Sequence, residues 1–434
     1  MKLNKYLSSI ILLSGVLGFA LTSCEDQPDK FEATGGTPVV KYVRMASVES
    51  ADSLIEAAYM ESVICLVGDN LRSINEIYFN DQKAVLNTSY LTDHTFIVAI
   101  PGGIPEEVTN KIYMVNKAGK TTEYDFKVLV PKPVITSVSN EWAKPGEEIT
   151  IYGDFFIDDP NVPLYATFPG NVKAEEVSNI TKNSFNVIVP DNADLEGSIS
   201  VTSIYGTGQS SLHYRDTRGM LFDWDGVNGL AIGNGWRSGA DVLQTGAVDG
   251  IEPLDGKYIL FNKESMTNAD WPDEDAVSFN YWPNVTDGHP ELSTMLGDDF
   301  DPTNWQDYTL KFEVCIPSSK PWTGVALNCI FTSYAEVNME DNPTNSYIGS
   351  DDNSRALWSP WSTTGSYDTG GRWTTVSIPL SNFVFTRYAD TPKVPLSAES
   401  FSGLTFIVYA GSQTSELTSQ IYIAIDNIRL VPNN

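Results

Sequence analysis

The segment Glu148–Phe156 reads EITIYGDFF, and the earlier segment Val63–Leu71 reads VICLVGDNL. In both, apolar residues alternate along a short run that a glycine then interrupts, which predicts a β-strand followed by a turn. Two further pairs of segments repeat at similar spacing. PVVKYV from Pro38 matches PVITSV from Pro133, and TDHTFIVAIP from Thr92 matches TKNSFNVIVP from Thr181. Repetition of this kind predicts two similar modules in tandem.

The repeats place the two modules at residues 38–131 and 132–216. Each module holds several short strand patterns with turns between them, which predicts a small β-sandwich. Gly68 and Gly153 occupy matching positions. We expect Gly153 and Gly146, the two glycines of the second module's motif, to meet a need for positive φ or a tight turn. The order Pro-x-Ile-x-x-Val and then Gly-x-x-Ile-x-Ile-x-Gly, complete in the second module, resembles the immunoglobulin-like modules of the IPT/TIG type. Both modules are expected to act as spacers.

The chain begins with Lys2 and Lys5, then an apolar run too short to span a bilayer, then the sequence LTSC, which ends at Cys24. This order resembles the lipobox of bacterial lipoproteins, in which the cysteine becomes the acylated first residue. The resemblance implies a signal peptide at residues 1–23 and a lipid anchor in the membrane at Cys24. An ordinary signal peptide with an unrelated cysteine is the alternative.

Residues 24–37 form an acidic linker, in which Glu25, Asp26 and Asp29 closely follow the cysteine. Such a run resembles the signal that directs some Gram-negative lipoproteins to the outer face of the outer membrane. We therefore expect a lipid-anchored outer-membrane protein that faces the cell exterior. The net charge of −29 argues against nucleic acid and anionic membrane surfaces as partners, since both repel an acidic protein.

Residues 219–434 contain every tryptophan of the chain except Trp142. Strand patterns recur through this region, at 308–317, 324–334, 373–380, 404–410 and 421–431. The length suits one large β-sandwich or jelly roll. The predicted fold class is therefore all-β, with two tandem Ig-like β-sandwiches followed by a larger C-terminal β-sandwich or jelly-roll domain.

Several tryptophans of this region adjoin a proline, which stiffens the loop around the ring. They are Trp271, Trp282, Trp322 and Trp361. A flat ring on a rigid loop stacks on the C–H face of a sugar at small entropic cost. Trp224, by contrast, shares a face with Phe222 and is predicted to lie in the core. Trp373 stands at a strand entrance with the wrong parity for the inner face, and we expect it to be a structural lid.

The order of lipobox, acidic leader, tandem Ig-like modules and tryptophan-rich terminal sandwich resembles the surface glycan-binding proteins of starch-utilisation-type (Sus-like) systems. LWSPWSTTGSYDTGGRWTTVSIPLSNF, from Leu357, and NWQDYTLKFEVCIP, from Asn304, resemble segments of their C-terminal xyloglucan-binding-type, carbohydrate-binding domain. The resemblance implies non-catalytic capture of a polysaccharide, a β-glucan or hemicellulose, for a neighbouring outer-membrane glycan transporter complex.

In that family two or three aromatic rings of the last domain form a flat platform, and an adjacent Tyr-Trp pair is one form of it. The resemblance therefore implies roles for Tyr281 and Trp282. Neighbouring side chains of a strand point to opposite faces, so both rings can serve only if the strand ends there, as Pro283 suggests. The other candidate platform rings are Trp271, Trp322, Trp358, Trp361 and Trp236.

Two other functions stay open at this point. A glycosidase needs only a pair of carboxylates, which the acidic C-terminal domain supplies in abundance. A protein-binding adhesin also suits Ig-like modules. We expect no enzyme and no catalytic residue, because the sequence lacks Gly-x-Ser-x-Gly and His-Glu-x-x-His motifs and its histidines, His94, His213 and His289, are scattered.

Asp426 in IYIAIDNIRLV has the parity of Ile428 and Leu430, which places a carboxylate on the apolar face of the last strand. A buried carboxylate is paired, protonated or bound to a cation. Asp223 and Asp225 on the first strand of the domain suggest a structural Ca²⁺ held with Asp426. The alternative is a bulge at Asp426–Asn427 that turns the carboxylate to solvent or to backbone N–H groups. No other cofactor is expected.

Three cysteines follow Cys24, and none has the spacing of a metal site. Cys315 and Cys329 lie on predicted strands. Cys315 is on the face opposite the inner, apolar residues of its strand, whereas Cys329 is on the same face as the apolar residues of its own strand. A disulfide between opposite faces is excluded without a bulge. We expect these two and Cys65 to be free thiols.

Overall fold

A computed structural model describes residues 35–50, 52–174, 176–193, 195–235, 238–268, 276–333, 354–409 and 418–433. Strands and turns dominate, and the described residues contain a single short α-helix, α1 (Leu292–Leu296). The all-β prediction is confirmed. No helix among these residues is both long and apolar enough to span a bilayer. The predicted signal peptide, Cys24 and most of the acidic linker lie outside them.

The chain divides into two compact units between Pro131 and Lys132. The first unit is built on a three-stranded sheet, β1-β3-β6, and a four-stranded sheet, β5-β4-β7-β8, with β2 and β9 paired in parallel. Its strands are β1 Val39–Met45, β2 Ala57–Tyr59, β3 Val63–Asp69, β4 Ile74–Phe79, β5 Gln82–Lys83, β6 Thr95–Ala99, β7 Lys111–Asn116, β8 Thr121–Asp125 and β9 Lys127–Leu129. Its 3-10 turns are Val48–Ser50, Leu71–Ser73 and Thr88–Tyr90.

The second unit begins with a sandwich of two four-stranded sheets, β10-β11-β15-β14 and β13-β12-β16-β17. Its strands are β10 Val134–Val138, β11 Glu148–Asp154, β12 Tyr165–Phe168, β13 Val172–Lys173, β14 Val177–Ser178, β15 Ser184–Ile188, β16 Gly197–Ser203 and β17 Gly206–Tyr214, with a 3-10 turn at Pro169–Asn171. The alternate residues of both sheets meet in one apolar core that includes Ile151, Phe185 and Tyr214. The Tyr214 hydroxyl donates to Ala143 O at 2.6 Å, which satisfies its buried polar atom.

The predicted repeat has a structural counterpart in the first strand pair of each module. β1 pairs with β3 and β10 with β11, both antiparallel, and both pairs shift register at the corresponding point. Gly146 adopts the expected positive φ, 85°, whereas Gly153 and its counterpart Gly68 do not. Instead, a Cβ at either residue would lie 1.9 Å from the carbonyl oxygen of Val39 or Val134. These glycines therefore allow close approach of two backbones rather than a left-handed turn.

The remaining strands form a larger sandwich of a six-stranded sheet, β19-β20-β27-β22-β25 with β18 added along β27, and a four-stranded sheet, β21-β26-β23-β24. They are β18 Met220–Phe222, β19 Leu243–Gln244, β20 Tyr258–Thr267, β21 Ser278–Tyr281, β22 Tyr308–Cys315, β23 Leu327–Thr332, β24 Ala356–Trp358, β25 Thr374–Pro379, β26 Gly403–Val408 and β27 Thr418–Pro432. The 3-10 turns are Val285–Asp287, Gly297–Asp299, Pro302–Asp307, Pro360–Ser362, Leu380–Asn382 and Ala398–Ser400. Each of the five predicted strands of this region overlaps an observed one.

The main core of this sandwich lies between its two sheets and contains Phe222, Trp224, Phe279, Phe312 and Phe406. Trp224 has no exposed surface. Its prediction as a core residue is therefore confirmed.

A second apolar cluster covers the other face of the six-stranded sheet. Trp142 of the second module packs there with Tyr258, Trp373 and Tyr422. Trp373 Nε1 donates to Glu252 O at 2.8 Å, and its ring meets that of Tyr258 edge to face. Trp373 is thus the structural residue we predicted, and the second module shares a core with the C-terminal sandwich. The division at residues 216–219 stays a prediction.

Cys65, Cys315 and Cys329 are all free and buried, as expected. Cys329 lies in the core between the sheets, whereas Cys315 lies on the opposite face of the six-stranded sheet. Burial raises the pKa of the Cys315 thiol to about 11. The thiols are therefore protonated and unreactive at neutral pH.

Candidate functional site

The four-stranded sheet of the C-terminal sandwich turns one face to the core and carries polar side chains on the other. Phe279, Phe406 and Leu327 point into the core. Their neighbours along each strand point the opposite way because side chains alternate. We call this opposite side the polar face; its polar residues are Ser278, Asn280, Thr405, Asn328 and Arg355, none of them more than 2% exposed.

The polar residues of this face stand close together because of the strand register. Asn280 pairs with Thr405, and Ser278 pairs with Ile407, which in turn pairs with Asn328. Arg355 Nη1 donates to Asn328 Oδ1 at 3.1 Å, while Asn328 Nδ2 donates to Tyr409 O at 2.6 Å. Amides, hydroxyls and a guanidinium are thus held in defined orientations across the sheet.

Trp282 lies at the end of the polar face, directly after β21. Its backbone N–H donates to Asn234 O at 3.0 Å, and Asn234 Nδ2 donates to Trp282 O at 2.6 Å. With the Asn280 amide oriented by its hydrogen bonds, Trp282 Nε1 donates to Asn280 Oδ1 at 2.7 Å. The position of the ring is therefore set by three hydrogen bonds.

Trp282 is 2% exposed, so the prediction of an open platform ring is wrong for this structure. The loop before β19 covers the ring, since a Cβ at Gly235 would lie 2.5 Å from a ring carbon of Trp282. The ring therefore lies between this loop and the end of the polar face. Trp236, the next residue of the loop, lies outside the described residues.

Tyr281 points into the core, away from Trp282. Its hydroxyl donates to Pro290 O at 2.7 Å, and its ring packs near Phe222. Burial raises the pKa of Tyr281 to about 12. The predicted pairing of Tyr281 with Trp282 in one platform is wrong, because the alternation of a regular strand places the two rings on opposite sides of the sheet.

Three further predicted rings belong to or pack against the core of the sandwich, and we call this group the aromatic corner: Trp322, Trp358 and Trp361. Trp322 has no exposed surface, and its Nε1 donates to Gly324 O at 2.7 Å. Trp361 is 6% exposed. Both are core residues here, so their prediction as exposed contacts is wrong. Trp271 lies outside the described residues.

Trp358 is the half-buried member of the aromatic corner. Its ring lies against Trp322 at a centroid distance of 5.3 Å and meets Tyr367 edge to face at 5.7 Å. Tyr367 is also half-buried. This pair presents a small aromatic surface beside an exposed loop, and it is the alternative site for a stacked ligand.

Asp223 and Asp426, two of the predicted calcium ligands, have different surroundings. Asp223 accepts backbone N–H groups of Asp225, Gly226 and Asn228, at 3.2, 2.7 and 2.7 Å, so its oxygens are occupied. Asp426 is fully buried and lies on the opposite face from Ile428, because a bulge precedes Ile428. The bulge we weighed as an alternative is thus present. It does not expose the carboxylate but turns one of its oxygens to the Asn427 backbone N–H, at 2.8 Å.

Only one histidine among the described residues lies in a close group of acidic side chains that could take part in catalysis. Among the described residues, Glu196, His213 and Asp216 form the one close group of at least three acidic, histidine or cysteine side chains. Asp216 is already neutralised by Arg218, which donates to both of its oxygens at 2.9 and 2.8 Å. Arg218 and hydrogen bonds to Asp216 hold the pKa of that carboxyl below its usual value despite burial.

Sequence reasoning missed the polar face. The signal was present in SFNY, where Ser278 and Asn280 alternate with two aromatic residues, but a single strand does not reveal which of its faces meets polar neighbours. Only the pairing of β21, β26 and β23 assembles the surface.

The comparisons with known proteins agree with this architecture. Residues 214–432 match the family model of the surface glycan-binding protein B xyloglucan binding domain. The structure is similar to surface glycan-binding protein PbSGBP-B from Prevotella bryantii, with a TM-score of 0.72, 36% identity, and coverage of 93% of this chain and 100% of that one.

Two other similarities are more remote. An IPT/TIG domain-containing protein of Bacteroides ovatus is 28% identical over 194 residues, which span 42% of this chain and 38% of that relative. The chain therefore aligns with less than two fifths of the length of this curated relative. SGBP-B from a complex xyloglucan utilization locus in Bacteroides uniformis is 16% identical, covers 92% of this chain and 100% of its own, and has a TM-score of 0.43.

Proposed function

The chain belongs to the surface glycan-binding protein B family, and we propose that the polar face of its C-terminal domain captures a xyloglucan-type β-glucan. Glycan capture at the cell surface is the function of this family. The class of glycan rests on the matching xyloglucan-binding model over residues 214–432.

The observation that carries this proposal is the chemistry of the polar face. Asn280, Asn328, Thr405 and Arg355 supply both donors and acceptors, as sugar hydroxyls require, with one formal charge among them. They are already oriented by hydrogen bonds to one another and to the backbone. All four are fully buried, so capture requires the polar face to open; the side chains themselves then need little reordering, and little side-chain entropy is lost on binding.

Trp282 adds an aromatic ring to a face that otherwise offers the aliphatic side chain of Ile407. Its ring borders the face and is held by Asn280 and Asn234. The ring is 2% exposed, so it must be uncovered before a sugar can stack on it. We propose that the sugar chain runs along the sheet and reaches this ring, with Trp236 and Trp271 as further platform rings.

We further propose that binding is not followed by cleavage. The family model and the similar Prevotella protein are described as glycan-binding. A glycosidase needs two carboxyl groups about 5–10 Å apart at the ligand, whereas the polar residues that define the polar face include no carboxylate.

The proposed location is the outer face of the outer membrane, with a lipid on Cys24 as the anchor and an outer-membrane glycan transporter complex as the neighbour that receives the polysaccharide. The sequence of the first residues supports this proposal through its resemblance to a lipobox and an acidic leader. The two Ig-like modules then serve as spacers between membrane and binding domain.

Affinity gel electrophoresis on xyloglucan, mixed-linkage glucan and starch tests the site. Thr405→Val removes one hydroxyl from the polar face at nearly constant volume, and Trp282→Ala removes the bordering ring. We expect each to weaken retention on xyloglucan, the second by about tenfold or more if a stacked ring contributes 1–3 kcal/mol as it does with bases. Thr309→Val, on the six-stranded sheet, is the matched control and should bind normally.

Trp358→Ala distinguishes the aromatic corner from the polar face. Retention lost in Trp358→Ala but unchanged in Thr405→Val and Trp282→Ala would move the site to the corner. Reducing ends released from any of the three glucans would show an enzyme, and absence of retention on every glycan would favour the adhesin. Melting curves of each variant confirm that binding is compared between folded proteins.

A further inference from the structure

We propose that Asp426, Asn427 and Asp255 form a calcium site at the outer face of the six-stranded sheet. This inference is independent of the glycan site, because it concerns the opposite sheet of the sandwich. It retains Asp426 from the sequence-based hypothesis and replaces Asp223, whose oxygens already accept backbone N–H groups.

The deep part of the site is created by a β-bulge in the last strand. Lys311 pairs with Arg429 and Glu313 pairs with Asp426, so β27 has one residue more than β22 between these pairs. Asn427 adopts a φ of 49°, the left-handed conformation that a bulge requires. As a result, two consecutive oxygen-bearing side chains are placed on the sheet with no exposed surface.

Both of these side chains have an oxygen without a partner. Asp426 Oδ1 accepts from the Asn427 backbone N–H at 2.8 Å. Asp426 Oδ2 and Asn427 Oδ1 are buried and accept no hydrogen bond in the described part of the chain. Buried polar atoms are normally satisfied by a partner. Two acceptor oxygens without partners on adjacent residues therefore indicate a ligand that accepts their lone pairs, as a metal cation does.

Asp255 lies at the mouth of this site. Asn427 Nδ2 donates to Asp255 Oδ2 at 3.4 Å, and the Asp255 residue is exposed. Asp255 is thus hydrogen-bonded to the residue that follows Asp426, and it gives the site a side that faces solvent.

The cations of the neighbourhood do not neutralise Asp426. Arg429 donates to Glu313 and to Asn427 O. Lys257 lies 3.6 Å from Asp225, whose carboxylate also accepts the Lys257 backbone N–H. Arg215 lies close enough to Asp255 for its charge to favour the ionised carboxylate there.

Calcium fits this donor set. It binds hard oxygen atoms of carboxylates, amides, backbone carbonyls and water, and it accepts irregular arrangements of six to eight ligands. Two carboxylates neutralise its charge, one amide oxygen adds a neutral ligand, and water completes the shell at the exposed mouth. Magnesium demands nearly ideal octahedral geometry at shorter distances, so we expect it to bind less well here.

The test uses the whole mature chain with Cys24 replaced by alanine, compared in EDTA and in millimolar calcium. We expect calcium to raise the melting temperature by at least about 3 °C. Asp426→Asn and Asp255→Asn should each lose this shift, whereas Asp298→Asn, at an exposed turn, should keep it. Terbium luminescence should report one tight site in the parent protein that both site variants lack.

The two site variants are needed to distinguish this calcium site from other binding, because a chain with a net charge of −29 binds cations non-specifically. A calcium shift of equal size in the parent and in both site variants would overturn the proposal, as would equal melting in EDTA and calcium. An equal response to magnesium would overturn the assignment to calcium. If Asp426→Asn does not fold, Asp255→Asn at the exposed mouth decides alone.

Discussion

Glu141 of the second module and Arg429 of the last strand form a salt bridge of 2.8 Å in which both side chains are buried. Arg429 also binds Glu313, and Lys311 binds the second oxygen of Glu141. Two acids and two bases thus neutralise one another between the Ig-like module and the C-terminal sandwich. Because of this network and the cluster around Trp142, we expect residues 132–434 to unfold as one cooperative unit.

Removal of Glu141 tests this coupling. Glu141→Ala leaves Lys311 without its acid and removes one of the two acids bound by Arg429. We expect a loss of about 3–5 kcal/mol in the free energy of unfolding, as for other broken buried ion pairs. Urea denaturation of residues 132–434, followed by tryptophan fluorescence, measures it.

Glu148→Ala is the matched control, because Glu148 is exposed on β11; it should change stability by less than about 0.5 kcal/mol. Two separate unfolding transitions in the parent fragment, only one of them shifted by Glu141→Ala, would contradict a single cooperative structure.

Gly153→Ala tests the close approach of β10 and β11. The new methyl group would lie 1.9 Å from Val134 O, so the strands must separate. We expect a loss of about 1–3 kcal/mol or more, measured by thermal unfolding. Gly246→Ala, where a Cβ meets nothing within 4 Å, should be neutral. Equal stability of the two variants would show that the backbone absorbs the methyl group freely.

Trp322→Ala separates core rings from ligand rings. Because Trp322 is fully buried and packs against Trp358, its removal should lower the free energy of unfolding by about 3–5 kcal/mol. The fraction that still folds should bind xyloglucan with unchanged affinity in isothermal titration. A folded variant of normal stability that no longer binds would restore Trp322 to the platform.

Cys24→Ala tests the proposed anchor in cells. Without the cysteine no lipid is attached, and no other membrane contact is proposed, so the protein should move from the membrane to the soluble fraction. Ser23→Thr, next to the cysteine, is the control and should stay with the membrane. Retention of Cys24→Ala in the membrane after a carbonate wash would show a different attachment.

Local patterns were sufficient to predict most of the fold. Alternating apolar residues are a property of each strand, so the five strands of the C-terminal region and the repeat marked by Gly68 and Gly153 could be recognised without tertiary information. The same reasoning placed Trp224 in the core, because its neighbours on the strand define an inner face. The parity of Tyr281 and Trp282 argued against the platform pair that we expected from the resemblance and from Pro283, and the structure follows the parity.

The exposure of the remaining rings was decided by tertiary structure alone. Trp322 and Trp361 adjoin prolines in segments that resemble exposed loops, yet both pack into the sandwich core. A ring in a loop is buried or exposed according to the strands that the loop crosses, and this depends on residues distant in sequence.

Asp426 shows, within a single strand, that sequence parity alone does not determine the face to which a side chain points. Its parity with Ile428 predicted the apolar face, whereas the bulge at Asn427 shifts the alternation by one residue and places Asp426 on the other face. By itself the sequence determined which segments form strands, because alternation is local. Tertiary structure decided which faces meet, because register and bulges depend on the partner strand.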